Sequence, residues 1–226
     1  MTKFTWVPVA LLLVGCSMEI PGERRSERQA FDLDEGATSA RISLEMNAGE
    51  LKVAGGTERL LEGDFTYNAD RLKPIVERSP GELRISQAAG GFGVGGESRW
   101  DLRLNGSMEL NVVAKLGAGE AELALGELNL QSVDVGIGAG QVHVDLRGTP
   151  KQSYRVRIEG GVGETVVYLP RSVGISANAA GGLGSISVTG LDKRGEGWVN
   201  TGHEKDAVQI TVDVRGGIGE IRLAAE

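Results

Sequence analysis

The chain has 226 residues, with 24 Lys and Arg against 31 Asp and Glu, a formal net charge of −7. That balance excludes the basic surface nucleic-acid binding needs, and the length allows one ordinary domain or two small ones. Aromatics are only 4% while glycine numbers 35, so the core must come from Val, Ile, Leu and Ala, and the chain must turn often.

Residues 1–15 read as a secretory leader. Lys3 supplies a short positive start, and Val7 to Val14 is mostly apolar yet shorter than the about 20 residues that span a bilayer. Leu13-Val14-Gly15-Cys16 resembles the lipobox of bacterial lipoproteins. The resemblance implies cleavage before Cys16, thioether lipidation of its sulfur and acylation of the new amino terminus. Palmitate is then among the chains that hold the protein to a membrane. Ser17 resembles an outer-membrane sorting residue, if the host has two membranes. Cys16 is the only cysteine, so no intrachain disulfide can form. Residues 16–29 are polar, carry Pro21-Gly22 and read as a tether. Arg24, Arg25 and Arg28 there are either solvated or in reach of anionic headgroups.

The domain is expected over residues 30–226. Its first unit, Ala40 to Gly55, is an alternating strand, an Asn47-Ala48-Gly49 corner and a second alternating strand. Glu58 to Gly63 reads as a helical turn. Gly63–Asn68, Lys73–Arg78, Glu82–Gln87 and Arg99–Leu104 read as short strands, with a glycine-rich loop over 88–96. Residues 56–105 therefore form an ordered excursion, an antiparallel meander that caps or flanks the rest.

The corner then recurs as Gly117-Ala118-Gly119, Gly138-Ala139-Gly140, Gly161-Val162-Gly163, Gly182-Leu183-Gly184 and Gly217-Ile218-Gly219. Counted from the second glycine, positions −7, −5, +2 and +4 are apolar, Thr165 apart. Positions +1 and +3 are mostly polar. Period two on both sides of a corner describes half-buried strands. Second glycines fall at 49, 119, 140, 163, 184 and 219, in steps of 70, 21, 23, 21 and 35 residues. Fixed steps of this size mark stacked units that bury a shared core. The fold class is all-β, a single-domain β-solenoid of stacked two-strand rungs with the inserted meander.

The segments Ala48–Gly56, Leu61–Asn68, Trp100–Asn105 and Leu116–Leu125 resemble the toast-rack domain of bacterial envelope proteins over 30–125. Residues 126–226 resemble its putative-adhesin continuation. The resemblance implies a stacked-strand fold and relatives that include cell-wall-antibiotic-response and envelope-stress proteins. It brings no catalytic residues. Those relatives often carry transmembrane helices, and no stretch of this chain is long enough for one.

Enzymatic and ligand motifs fail on context. Each Gly-x-Gly leads into a strand, so no helix N-terminus awaits a phosphate. Thr165, Ile186 and Ile221 stand where a calcium-roll motif needs Asp. His143 and His203 sit apart, and no nucleophile elbow is present. No cofactor or metal is implied. The column Glu50, Glu120, Gln141, Glu164, Ser185, Glu220 is either a solvated face, its carboxylates mostly separated by neutral neighbours, or a cation or sugar site.

Two functions follow. One is a non-catalytic envelope lipoprotein whose rungs face a protein or cell-wall partner, with the link to envelope stress that the resemblance implies. The other is a glycan-binding or glycan-processing β-helix, which calls for aromatic platforms. The repeat strands offer only Tyr154 and Tyr168, which favours the first. The long final step places a polar, glycine-rich segment at 190–206. It either protrudes and offers Trp198, Asn200 and His203 to a partner, or folds back as a short strand at Trp198-Val199 that seals the last rung.

Overall fold

The computed structural model describes residues 22–88 and 96–226. The leader, Cys16, Ser17, most of the glycine-rich loop and the start of the tether lie outside the described residues.

Thirteen strands form one sheet, with a 3-10 turn at Asp70–Leu72. They are β1 Arg25–Phe31, β2 Ser39–Thr57, β3 Leu61–Tyr67, β4 Pro74–Ser79, β5 Glu82–Gln87, β6 Ser98–Asn105, β7 Glu109–Ala124, β8 Asn129–Asp145, β9 Tyr154–Leu169, β10 Gly174–Thr189, β11 Asp192–Arg194, β12 Gly197–Val199 and β13 Gln209–Ala225. The corner-bearing strands β2, β7, β8, β9, β10 and β13 are the rungs of the solenoid. Each is one continuous strand of 16 to 19 residues, not a pair. Backbone pairing runs through the bend, with Ala118 opposite Ala139 and Gly119 opposite Gly140.

All rungs pair in parallel with equivalent residues side by side. The two arms of each rung face one another across the core. Val133, Val135, Val142 and Val144 are all buried, and the same columns run through Ile42, Leu44, Leu51 and Val53. Alternation along each arm thus sorts apolar side chains inward and polar ones outward, as the period of two requires.

The bend depends on glycine. A Cβ on Gly140, whose φ is +132°, would lie 1.9 Å from the carbonyl oxygen of Gly119 on the preceding rung. A Cβ on Gly138 would lie 2.4 Å from the oxygen of Gly117. Asn47 occupies that first-glycine position in β2, which no earlier rung precedes: β5 pairs only with Arg41–Glu45 and β6 only with Glu50–Thr57. With room for a side chain, Asn47 uses it. Its Nδ2 donates to the Ala88 oxygen at 2.9 Å, and its backbone N–H donates to Gln87 Oε1 at 2.8 Å.

The stacking order is β2-β7-β8-β9-β13-β10, so β13 enters between β9 and β10. Spacing counts rungs but carries no information on their order. The 35-residue step supplies enough chain to pass around the outer side of β10, form the β11–β12 hairpin there, and return β13 to the inner side.

The insertion divides. β5, in a hairpin with β4, covers the first arm of β2, while β6, with β3 and β1, covers the second. Both covers meet β2 in parallel although each is antiparallel within itself. The helical turn expected at Glu58–Gly63 is a bend, and Leu61 already begins β3. At the centre of the second cover, Phe65 and the fully buried Trp100 pack edge to face, centroids 5.6 Å apart.

The tether expected over 16–29 is shorter than its composition implies, because Arg25–Phe31 is β1. Its three arginines pair with the domain: Arg24 with Glu97 at 2.7 Å, Arg25 with Asp70, and Arg28 with both oxygens of Asp64 at 2.7 and 2.9 Å. An edge strand with one solvated face can be polar throughout, and that composition imitates a linker.

Gly140→Ala should cost on the order of 3–5 kcal/mol, from the left-handed backbone and the carbonyl clash together. Asn47→Gly should cost about 1 kcal/mol or less. Val144→Asp, which buries a lone carboxylate, should lose about 3–5 kcal/mol while the outward Gln141→Asp changes stability little. Urea unfolding of the four variants measures this. Equal losses at 144 and 141 would refute the inward and outward assignment.

Candidate functional site

The outer faces follow from register. In spatial order the +1 column reads Glu50, Glu120, Gln141, Glu164, Glu220, Ser185. Neutral neighbours do not separate most of these carboxylates: Glu50 is beside Glu120, and Glu164 is beside Glu220. The late insertion of β13 causes the second meeting. Cations offset the repulsion. Arg99 reaches Glu50 at 2.6 Å, Lys52 reaches Glu122 at 2.6 Å, and Arg222 contacts Glu220 at 2.8 Å and Glu164 at 3.7 Å. These exposed pairs add little stability individually, but they leave the column without a cluster of free carboxylates. Among the described residues no group of three or more His, Cys, Asp or Glu is arranged for a metal. His143 is exposed, between Glu122 and Val166 on the flanking rungs.

The opposite face alternates charge from rung to rung. Asp134, Arg157 and Asp213 are successive neighbours, which sets unlike charges side by side. A groove lies over it, lined by Gln131, Asp134, Tyr154, Arg155, Arg157 and Thr211. Tyr154 is buried, and that burial pushes its phenol well above the usual range. The other repeat tyrosine, Tyr168, has the Arg147 guanidinium 4.6 Å from its ring centroid. All seven aromatic side chains among the described residues are buried or half-buried.

Residues 190–206 fold back. Trp198 pairs with Ala177 and Val199 with Ser176 on β10. The indole is half-buried against the core, with Lys193 Nζ 5.9 Å from its ring centroid. Asn200 is 8% exposed, and its Nδ2 donates to the carbonyls of Arg171 and Val173, both at 2.8 Å. His203 Nδ1 lies 2.7 Å from Asp206 Oδ2. The structure thus brings the three together at the outer end of β10, each with an internal contact.

A seam that periodicity does not reveal closes the far ends of the arms. Arg147 binds Asp145 through both carboxylate oxygens, at 2.9 and 2.7 Å, and Glu226 at 2.9 Å. The Arg147 guanidinium holds the Asp145 carboxyl below the usual range. Asp64 is lowered chiefly by Arg28, and Asp34 by the Gly81 N–H and then Arg78. A depressed folded pKa adds stability above the unfolded value of about 4 and loses it as pH falls through the folded value. The melting temperature should therefore hold from neutral pH to about 5 and drop below about 4. Asp145→Asn should lower it at neutral pH and flatten the acid drop, measured by melting curves across pH.

The family model for the N-terminal domain of toast_rack matches residues 20–168. Among solved structures, a "putative cell adhesion protein" from Clostridium sporogenes ATCC 15579 is 30% identical, with a TM-score of 0.85 over 90% of this chain and 100% of that one. A "putative adhesin" from Bacteroides fragilis NCTC 9343 is 8% identical at a TM-score of 0.32, over 89% of this chain and 97% of its own. One from Parabacteroides merdae ATCC 43184 is 7% identical at 0.29, over 91% and 97%. Likeness at those two scores says nothing further about this chain. Comparison with curated proteins finds no match. The family match covers well over half the chain, and the Clostridium likeness spans nearly all of it, so this protein belongs to the toast-rack putative-adhesin family.

Proposed function

We propose that the protein is a non-catalytic component of the cell envelope, held to a membrane by lipid on Cys16, that presents its outer β faces to a protein or cell-wall partner. Its likeness to the Clostridium protein described as a putative cell adhesion protein supports a surface-interaction role. The carrying observation is the in-register stack, whose outward columns are mostly polar and largely charge-paired, while the seven aromatics among the described residues are buried or half-buried. None of these seven rings is fully exposed, which favours this reading over a glycan-processing β-helix with aromatic platforms. A role in envelope stress belongs to the same proposal and rests on the family resemblance.

Contact at Trp198, Asn200 and His203 is part of this reading and would use the surface they leave exposed. Trp198→Ala separates two roles. A ring that only seals β10 gives a lower melting temperature with partner retention intact. A contact ring gives weaker retention at nearly unchanged stability.

Cys16→Ser should abolish labelling by palmitate and leave unprocessed precursor. Labelling equal to wild type would remove the anchor. For the partner, the purified chain is incubated with isolated cell walls and, separately, with membranes before and after protease. Saturable retention on walls, or retention on membranes that protease removes, is the expected result. Retention on neither would overturn the interaction role.

A further inference from the structure

Among the described residues the sheet ends in four strand edges, two on each arm: β4 and β11 on the first, β1 and the second half of β10 on the other. A bare edge invites another strand, and proteins blunt edges with charge, proline or brevity. Three of these edges are blunted. β4 carries Pro74, Glu77 and Arg78; β1 carries Arg25, Glu27 and Arg28; β11 is three residues long, all charged. The fourth is not. β12 covers β10 only at Ser176 and Ala177, whereas among the described residues Gly181–Thr189 pairs with β13 alone. Those nine residues contain no charge and no proline. Positions +1 and +3, which hold Glu, Lys or Arg at one or both places on four of the other five rungs, are Ser185 and Ser187 here.

The apolar surface is also largest at this end. The residue between the glycines runs Ala48, Ala118, Ala139, Val162, Ile218, Leu183 in spatial order. The last three are 52%, 52% and 70% exposed. Ile186, at a position buried on every other rung, is 40% exposed because no further rung covers it.

We infer that this edge pairs with the same edge of a second copy of the chain, antiparallel about a two-fold axis. The occupant follows from charge and count. Two chains of net charge −7 repel, and here they meet along an uncharged strand. Centring the pair on Ile186 sets it opposite its own mate and Ser185 opposite Ser187 of the second copy, with no like charges facing. Each chain has one such edge among its described residues, so the assembly closes at two and does not extend into a fibre. This is independent of what the outer faces bind.

The test uses the full chain in a neutral detergent, with light scattering from about 1 to about 100 µM, the range in which weak dimers dissociate. Wild type should pass from monomer to dimer. Ser185→Lys with Ser187→Lys, both outward, should weaken dimerisation by at least about tenfold at unchanged melting temperature. Gln141→Lys on the central rung should leave it intact. Hydrogen exchange of wild type gives a second measurement: amides of 181–189 should gain protection as concentration rises. A wild type that stays monomeric, a dimer that survives the lysines, or exchange at 181–189 that ignores concentration would each overturn the pairing.

Discussion

The constraint repeated from rung to rung is the close approach of one rung's backbone to the next at the bend. Every second corner glycine after the first rung would place a Cβ within 2 Å of a carbonyl oxygen on the rung beside it. No side chain fits that gap, and the positive φ at the same residues disfavours one independently. Because the contact is between equivalent backbone atoms, it locks register. A slip of one residue would put a side chain into the gap and turn every apolar residue outward. Core, columns and outer faces all inherit their alignment from this contact.

Register in turn decides electrostatics. In-register parallel stacking sets like positions side by side, so a repeated acidic residue repels its own copies. The chain answers in two ways. One face alternates sign through Asp134, Arg157 and Asp213. The other places a cation two positions along, as Arg222 does beneath Glu164 and Glu220. Exchanging β10 and β13 would separate those glutamates by Ser185 and leave Arg222 at the end. The charge pattern suits the observed order better than the order along the chain.

How much of this was legible depends on whether the signal is periodic. The repeat announced the rungs, the inward columns and the corners, since each is written six times. Asn47 was visible as an exception, but its reason required knowing that no rung precedes it. β1 was hidden because a solvated edge strand held by Arg24, Arg25 and Arg28 has the composition of a linker. The place of β13 was hidden because equal spacing fits either order. The Arg147 seam joins residues 79 positions apart, a pairing that only the folded chain supplies. Trp198, Asn200 and His203 were legible as a polar insertion with a fold-back at Trp198-Val199 as one alternative, but their partners were not, because Asn200 binds the distant carbonyls of Arg171 and Val173 and Trp198 lies against β10, while only His203 has its partner, Asp206, nearby in sequence.

The two ends of the stack show how such a scaffold handles its open edges. At the first end, about fifty residues of insertion cover both arms of β2, and the strands left outermost carry charge. At the other end two three-residue strands lie on one arm of β10 and, among the described residues, none on the second. Length alone does not explain the difference, since the same 35-residue step could have carried strand along either arm. Composition changes with it: the bare arm loses charge where the covered and capped strands keep theirs. An unprotected edge that is also long, neutral and flanked by apolar side chains is costly to leave in water. Its presence beside three blunted edges among the described residues is best explained by a surface that is covered in use.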